Sequence, residues 1–524
     1  MRWTVFSPPM SVSVLKSARI ISALTLVSRI LGLGRDMLFA YVFGAGWVMS
    51  AFTVGFQVPN LFRRLFGEGA LSASSIPVLT DQLHRGGREA VDRLSGRVMG
   101  LLLVVLVALT LVGELVVLAL WPLVEPTDRN LLTLSLTAVM LPYMVFICAS
   151  AILGGIQNIF GQFAVPAANP ILLNVFEIVA MLVTVRVFAR NNLVPQAYVL
   201  GIVVLFTGVV QLTWQWTALR RTGLRLPLTI DTHDECVRTI ARTMVPMTIG
   251  LSAIQINAFL DSLIAYAFVT SHVGGPAVLG YAQRLYQFPL GVFAIALATA
   301  IFPAMTRHAA VNDLPGLSNT LARGLRIVMF EGLPCTVGLI LIREPLVQVL
   351  FQRGQFSAVD TVRVANTVIT FAAGIWAFGA NQIAVRAYYA IKDPMTPLRI
   401  AGGMVAANLA LNLILVFPLE EPGIGLATTI CAVIQDGLLI WFLSKRLPHI
   451  PWREILASTG RSAAATVVMA LAVLSVNRLL SDWQAYAHSS LLKVAFLTLT
   501  GLLAFLAGAR LVRCPELDEV LHRH

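Results

Sequence analysis

Arg29, Arg35, Asp36, Arg63 and Arg64 lie among long apolar runs, in SRILGLGRDMLFAYVFGAG and FQVPNLFRRLFGEGA. Guanidinium groups offer forked, charge-assisted hydrogen bonds, chemistry that suits phosphate or carboxylate recognition. An arginine near the middle of a bilayer costs about 2.5–3.5 kcal/mol on insertion scales. Three or four together would cost roughly 10 kcal/mol, comparable to the stability of a domain. Such charges persist only against a watery cavity or a partner. The chain is therefore expected to enclose a cationic chamber within a membrane, with an anion as its ligand.

The individual positions differ. Arg29 and Arg35 are six residues apart, so a regular helix places them about 240° apart. Gly32 and Gly34 between them could bend or unwind the helix and turn both toward one cavity. Arg63 and Arg64 follow Pro59, and one of the two would suffice as an anchor at the inner interface. Arg284, in GYAQRLYQFPLG, is far from any basic helix end and is the best cavity candidate of the C-terminal half. Arg386 reads as an interfacial or packing residue. A second cluster is oxygen-rich: Asp261 after QINAFL, Asn408 and Asn412 one turn apart in AANLALNLIL, and Thr428 in GLATTI. It suits a hard monovalent cation, and equally hydrogen bonding between helices. There is no HExxH, Walker A or GxSxG motif, and Gly32-Leu33-Gly34 is too short for a dinucleotide fingerprint. Asp231 and Asp234 read as a solvated loop. The five cysteines form no CxxC, which argues against a disulfide framework or zinc site.

The elements that must position these residues are membrane helices. The 524-residue chain is 57% hydrophobic and only 12% charged, with mean hydropathy +0.80, against about 25% charged in soluble domains. Apolar stretches of spanning length are expected at about 17–38, 46–66, 96–124, 130–156, 166–189, 196–219, 240–270, 277–304, 320–342, 361–390, 397–418, 424–444, 457–480 and 489–512. The first two and the eighth are the most polar. The net charge of +12 concentrates in alternate loops, which places both termini in the cytoplasm and makes nucleic acid an unlikely partner. No long soluble insertion leaves room for an enzymatic domain. The N-terminal apolar stretch lacks a cleavage site and is read as a retained helix.

The chain also repeats weakly at a spacing near 225 residues. Asp36 aligns with Asp261, Pro77 with Pro303, Arg97 with Arg323, Pro170 with Pro397 and Gln211 with Gln435. Six helices per repeat make the two halves parallel, a common transporter plan. The expected architecture is an all-α polytopic membrane protein of about fourteen transmembrane helices. Residues 1–225 form one six-helix lobe, 226–450 a second, and 451–524 two extra C-terminal helices and a tail.

SRILGLGRDMLFAYVFGAG and AFTVGFQVPNLFRRLFGEGALSASSIPVL closely resemble the N-terminal signature of the MurJ (MviN) lipid II flippases. GQFAVPAANPILLN, YAQRLYQFPLGVFAIALATAIFP, FQRGQF and RAYYAIKDPMTP extend the resemblance in order across nearly the whole chain. The family belongs to the multidrug/oligosaccharidyl-lipid/polysaccharide exporter superfamily. The resemblance implies alternating access that moves undecaprenyl-pyrophosphate-linked peptidoglycan precursor from the inner to the outer leaflet of the bacterial inner membrane. It implies a groove for the lipid tail along the last two helices, no enzymatic activity and no cofactor. Membrane lipids and cell-wall synthesis proteins are the further partners it suggests. The family's cavity arginines fall on Arg29, Arg35, Arg63 and Arg284, with Asp36 as acidic partner. The cluster of Asp261, Asn408, Asn412 and Thr428 resembles a sodium site. Ser50 and Gln287 stand where relatives often carry acids, which makes the expected cavity more positive. An exporter of another lipid-linked glycan is the alternative; a drug exporter would need an acidic cavity, and a membrane glycosyl polymerase a sizeable outer loop.

Overall fold

The computed structural model describes residues 10–188, 192–269, 273–447, 450–483, 486 and 488–521. Among them the chain is helical throughout, with no strand. It divides into two compact units, unit 1 up to Phe259 and unit 2 from Leu260.

Unit 1 begins with α1 (Met10–Phe43) and α2 (Trp47–Phe62), then a π-helical stretch, Arg63–Ala70, and the long α3 (Leu71–Leu120). It continues with α4 (Asp128–Met140), α5 (Tyr143–Ile159), α6 (Ala164–Val187) and α7 (Leu193–Arg220). α8 (Glu235–Phe268) carries the boundary between the units. Pro59 near the end of α2 removes a backbone donor just before the wider π turns begin. α3 is broken at Gly87, whose φ of 69° is open to glycine at little cost.

α6 shows how the bilayer inverts the usual pattern. Its buried residues include Asn169, Asn174, Glu177 and Thr184, while Val179, Leu182, Val183 and Val187 are more than half exposed. With hydrocarbon outside, polar side chains gain by bonding one another in the interior. The Asn169 amide donates to the Ser150 hydroxyl at 2.9 Å, and Gln211 of α7 donates to the Asn169 carbonyl at 2.9 Å.

Unit 2 comprises α9 (Gly275–Pro289), a second π-helical stretch, Leu290–Ile295, and α10 (Ala296–Ala310). Then follow α11 (Leu314–Phe351), α12 (Ala358–Ala372), α13 (Ile375–Ala390), α14 (Met395–Leu419) and α15 (Glu421–Ser444). α16 (Trp452–Leu479) and α17 (Ser490–Leu511) pack on each other and on α11, through Phe330, Met469, Val473, Leu497 and Phe505. A short α18 (Pro515–Leu521) ends the described chain.

Arg97 and Arg323, which the weak sequence repeat aligns, each enter ion pairs within their own unit. Arg97 of α3 pairs with Asp231 and Asp234, holding the segment that follows α7. Arg323 of α11 pairs with Glu519 of α18 at 2.7 Å, and neighbouring Arg326 faces Glu454, Glu516 and Glu519.

Among the described residues, ten helical stretches are long and apolar enough to cross a membrane, or eleven when bent α12 and α13 count as one span. α1, α2 and α8 are not among them; α1 carries Arg29, Arg35 and Asp36, and α2 has only 16 residues. The eighth expected span, Gly275–Ala310, passes on its own apolarity despite Arg284, contrary to the sequence expectation. Its 36 residues carry Arg284 and Arg307, yet its apolar window keeps a mean hydropathy of 2.0.

Candidate functional site

α1 and α6 lie side by side in unit 1. Arg35 donates to one Asp36 oxygen through Nε at 3.1 Å and Nη2 at 2.8 Å, and to Glu177 through Nη1 at 3.1 Å. Its guanidinium also lies over the Phe39 ring, 5.7 Å from the centroid. The Glu177 side chain is 1% exposed and that of Arg35 12%. One turn before Glu177, Asn174 donates to the Ser28 carbonyl of α1 at 3.0 Å. Arg35 is thus a guanidinium between two carboxylates, held to α6 by the same helix face that holds Ser28.

The sequence reading pairs Arg35 with Asp36 and omits Glu177. The rule that singles out the arginines applies equally to an acid in VFEIVAML, so the signal was present. α1 also runs without a break through Gly32 and Gly34, so the helix is not unwound there. A Cβ on Gly32 would come no closer than 3.8 Å to Asn174, and one on Gly34 would meet nothing. With the helix regular, Arg29 and Arg35 take different environments: Arg29 is exposed, and Arg35 is largely enclosed.

Arg63 and Arg64 open the first π-helical stretch. Arg63 Nε donates to the Asn60 side chain at 2.9 Å, and Arg64 Nη1 to the Gln255 side chain at 2.9 Å. In unit 2, Arg284 is exposed on α9, five residues before Pro289 and the second π-helical stretch. Both arginine-bearing helices therefore run into a proline and a π stretch, a rare conformation often found at functional sites. Of the two positions expected from the resemblance to be acidic, Ser50 is fully buried in α2 and Gln287 is exposed on α9.

The oxygen-rich cluster is brought together in unit 2. Asn412 of α14 donates to Asp261 of α8 at 2.6 Å and to the Asn408 side-chain oxygen at 2.7 Å. Asn408 donates to the Thr428 hydroxyl of α15 at 3.4 Å, and Thr428 in turn to the second Asp261 oxygen at 3.5 Å. Asp261, Asn408 and Asn412 are at most 2% exposed. These four residues close a ring with one carboxylate in it. Among the described residues no three or more His, Cys, Asp or Glu side chains group as metal ligands; what the ring presents is oxygen donors and hydrogen bonds between helices. Arg386 donates to Gln382 and to Thr299 of α10 at 3.1 Å, the packing role expected of it.

A family model described as lipid II flippase MurJ matches residues 39–496. This chain belongs to that family. A probable lipid II flippase MurJ of Vibrio cholerae serotype O1 is 32% identical over 516 residues, covering 95% of each chain. The lipid II flippase MurJ of Burkholderia cenocepacia is 31% identical over 81% of this chain and 83% of its own. A solved structure of lipid II flippase MurJ in an inward closed conformation aligns with a TM-score of 0.75 at 22% identity, over 94% of this chain and 98% of that one. An inward-facing MATE family transporter of the MOP superfamily aligns at 0.68 with 15% identity, over 82% of this chain. These structural likenesses concern the fold. Membership of the MurJ family, with ten or more apolar helices, makes the chain a multi-pass inner-membrane transporter and not an enzyme.

Proposed function

We propose that this chain translocates lipid II, the undecaprenyl-pyrophosphate-linked disaccharide–pentapeptide, from the inner to the outer leaflet by alternating access. The family match across residues 39–496 carries this reading. In it, α1, α2 and α8 join the apolar helices to make fourteen spans, with both termini cytoplasmic. The spans form two six-helix lobes, 1–225 and 226–450, followed by the tail-binding pair of helices in 451–524.

Arg29, Arg35 and Arg63 of unit 1 and Arg284 of unit 2 are the cationic residues that take the pyrophosphate. Exposed Arg29 and Arg284 meet it first, with forked bonds to phosphate oxygens. Arg35 enters by exchange: the incoming anion competes with Asp36 and Glu177 for the same guanidinium. Binding therefore releases acids as it neutralises arginines, which biases the conformational equilibrium by differential affinity. The ring of Asp261, Asn408, Asn412 and Thr428 binds a monovalent cation such as Na+ and couples it to the return step. Cell-wall synthesis proteins receive or supply the substrate.

The test is the fraction of lipid II exposed on the outer face of cells depleted of their own flippase, at matched membrane levels. Restoration by the unmodified chain, and its loss in Arg29→Ala and Arg284→Ala, is the expected result. Failure of the stable, inserted wild-type chain to restore exposure points instead to a different lipid-linked glycan.

A further inference from the structure

Asp436 lies well inside α15, which has a mean hydropathy of 1.8 over its apolar window. The residue is 4% exposed, and both carboxylate oxygens are buried with no hydrogen-bond partner among the described residues. It shares a helix face with Ala432, Leu439 and Leu443, all buried. Asn381 of α13 is a polar side chain beside it. At the matching place of the repeat in unit 1, beside Gln211, stands apolar Leu212. Packing of this helix position does not require an acid.

The charged and titratable groups on the surrounding elements are engaged elsewhere. On α12, Arg363 pairs with Asp360 and with Glu421 in the first turn of α15, about 22 Å along the helix from Asp436. On α13, Arg386 is bonded to Gln382 and Thr299, and the Tyr388 hydroxyl donates to the Leu439 carbonyl at 2.8 Å. Tyr389 of α13, Arg399 of α14 and Arg284 of α9 are exposed. Tyr281 of α9 packs edge-on and tilted against phenylalanines, and Tyr286 stacks on Phe371. Cys431 lies on α15 itself, 5 residues away. No ion pair to Asp436 exists among the described residues.

An ionised carboxylate buried without a cation or donor is strongly unfavourable, and such a group takes up a proton instead. We propose that Asp436 is a proton-binding site of unit 2. Its carboxyl is a neutral acid in this conformation, and it gives its proton to water when the helices around it part. Protonation and ionisation at this site then mark two conformations of the transport cycle, so proton binding biases one against the other. This last step rests on the lipid II flipping reading; protonation of the side chain does not.

The experiment uses the full chain in lipid nanodiscs. The infrared difference spectrum of wild type minus Asp436→Asn at neutral pH is expected to contain the carbonyl stretch of a protonated carboxyl. Asn is a neutral near-isostere, so the variant is expected to keep the wild-type unfolding temperature. In proteoliposomes carrying lipid II, wild-type flipping is expected to depend on pH where that band titrates, and Asp436→Asn to lose the dependence. An absent band, a lower unfolding temperature in the Asn variant, or an unchanged pH profile overturns the proposal. A band lost in Asp436→Asn, from a wild-type chain that flips no lipid II, upholds the proton site and refutes the flipping reading.

Discussion

The pairing of Arg35 with Glu177 allows a prediction with two opposite signs. Glu177→Gln removes a buried carboxylate 3.1 Å from the guanidinium. Removing one partner of a buried ion pair costs about 3–5 kcal/mol, because the other charge is stranded. Arg35 is not stranded here, since Asp36 still accepts at 2.8 Å and glutamine retains an acceptor oxygen. The loss is then nearer that of one charge-assisted hydrogen bond, about 2 kcal/mol. For a unit of this size, that lowers the unfolding temperature by about 4–8 °C, measured on the purified chain in detergent. Arg35→Gln alone should be worse, leaving Asp36 and Glu177 buried without their shared cation. The double variant should recover part of that loss. Relief of one competitor for Arg35 should also strengthen binding of the lipid II headgroup in Glu177→Gln, read by titration calorimetry, although the protein is less stable. If the two substitutions add within about 0.5 kcal/mol, or if headgroup affinity falls with stability, the exchange argument is wrong.

Three further outcomes follow from other places in the fold. If the unit 2 ring binds Na+, replacing choline by Na+ should raise the unfolding temperature of the wild type but not of Asp261→Asn; equal shifts in both would remove the ring as the ion site. A Cβ on Gly96 would press into the Pro227 backbone, so Gly96→Ala should cost about 1–3 kcal/mol through overpacking. Limited proteolysis should then cut more readily in residues 222–234. Asp313 caps α11, accepting from the Gly316 backbone at 2.9 Å and lying 2.7 Å from His308 Nδ1. The Gly316 bond, then His308, hold its carboxyl below the usual carboxylate range. The cap's contribution is therefore complete above that range and fades as pH falls through the lowered value, which hydrogen exchange at the start of α11 should register.

What could be read from the sequence was governed by how strongly each residue violates its surroundings. Arginines in apolar runs stand out singly, and so Arg29, Arg35, Arg63 and Arg284 were named without a fold. The ring of Asp261, Asn408, Asn412 and Thr428 was legible because polar residues on a helical period in hydrocarbon must find one another, and the four lie within hydrogen-bond reach. Glu177 and Asp436 were passed over because each is one acid in a span whose average stays apolar. Composition did not decide whether α1 unwinds at Gly32 and Gly34, since glycine permits a break without demanding it; the helix is continuous there. The two π-helical stretches have no composition of their own, and only the prolines ahead of them gave a hint.

Those stretches give the arginine-bearing helices a screw thread. A π turn holds an extra residue compared with an α turn, and each residue of an α-helix accounts for about 100° of rotation. Letting the wide turn after Pro289 migrate by one residue toward Arg284 would therefore re-aim part of α9 while its far end, buried at Gly275–Leu279, stayed seated. The same step at Arg63 and Arg64 would turn both guanidinium groups away from their present partners, Asn60 and Gln255. In each unit a wide turn thus stands next to an arginine, where a shift of one residue would change the direction in which that charge points.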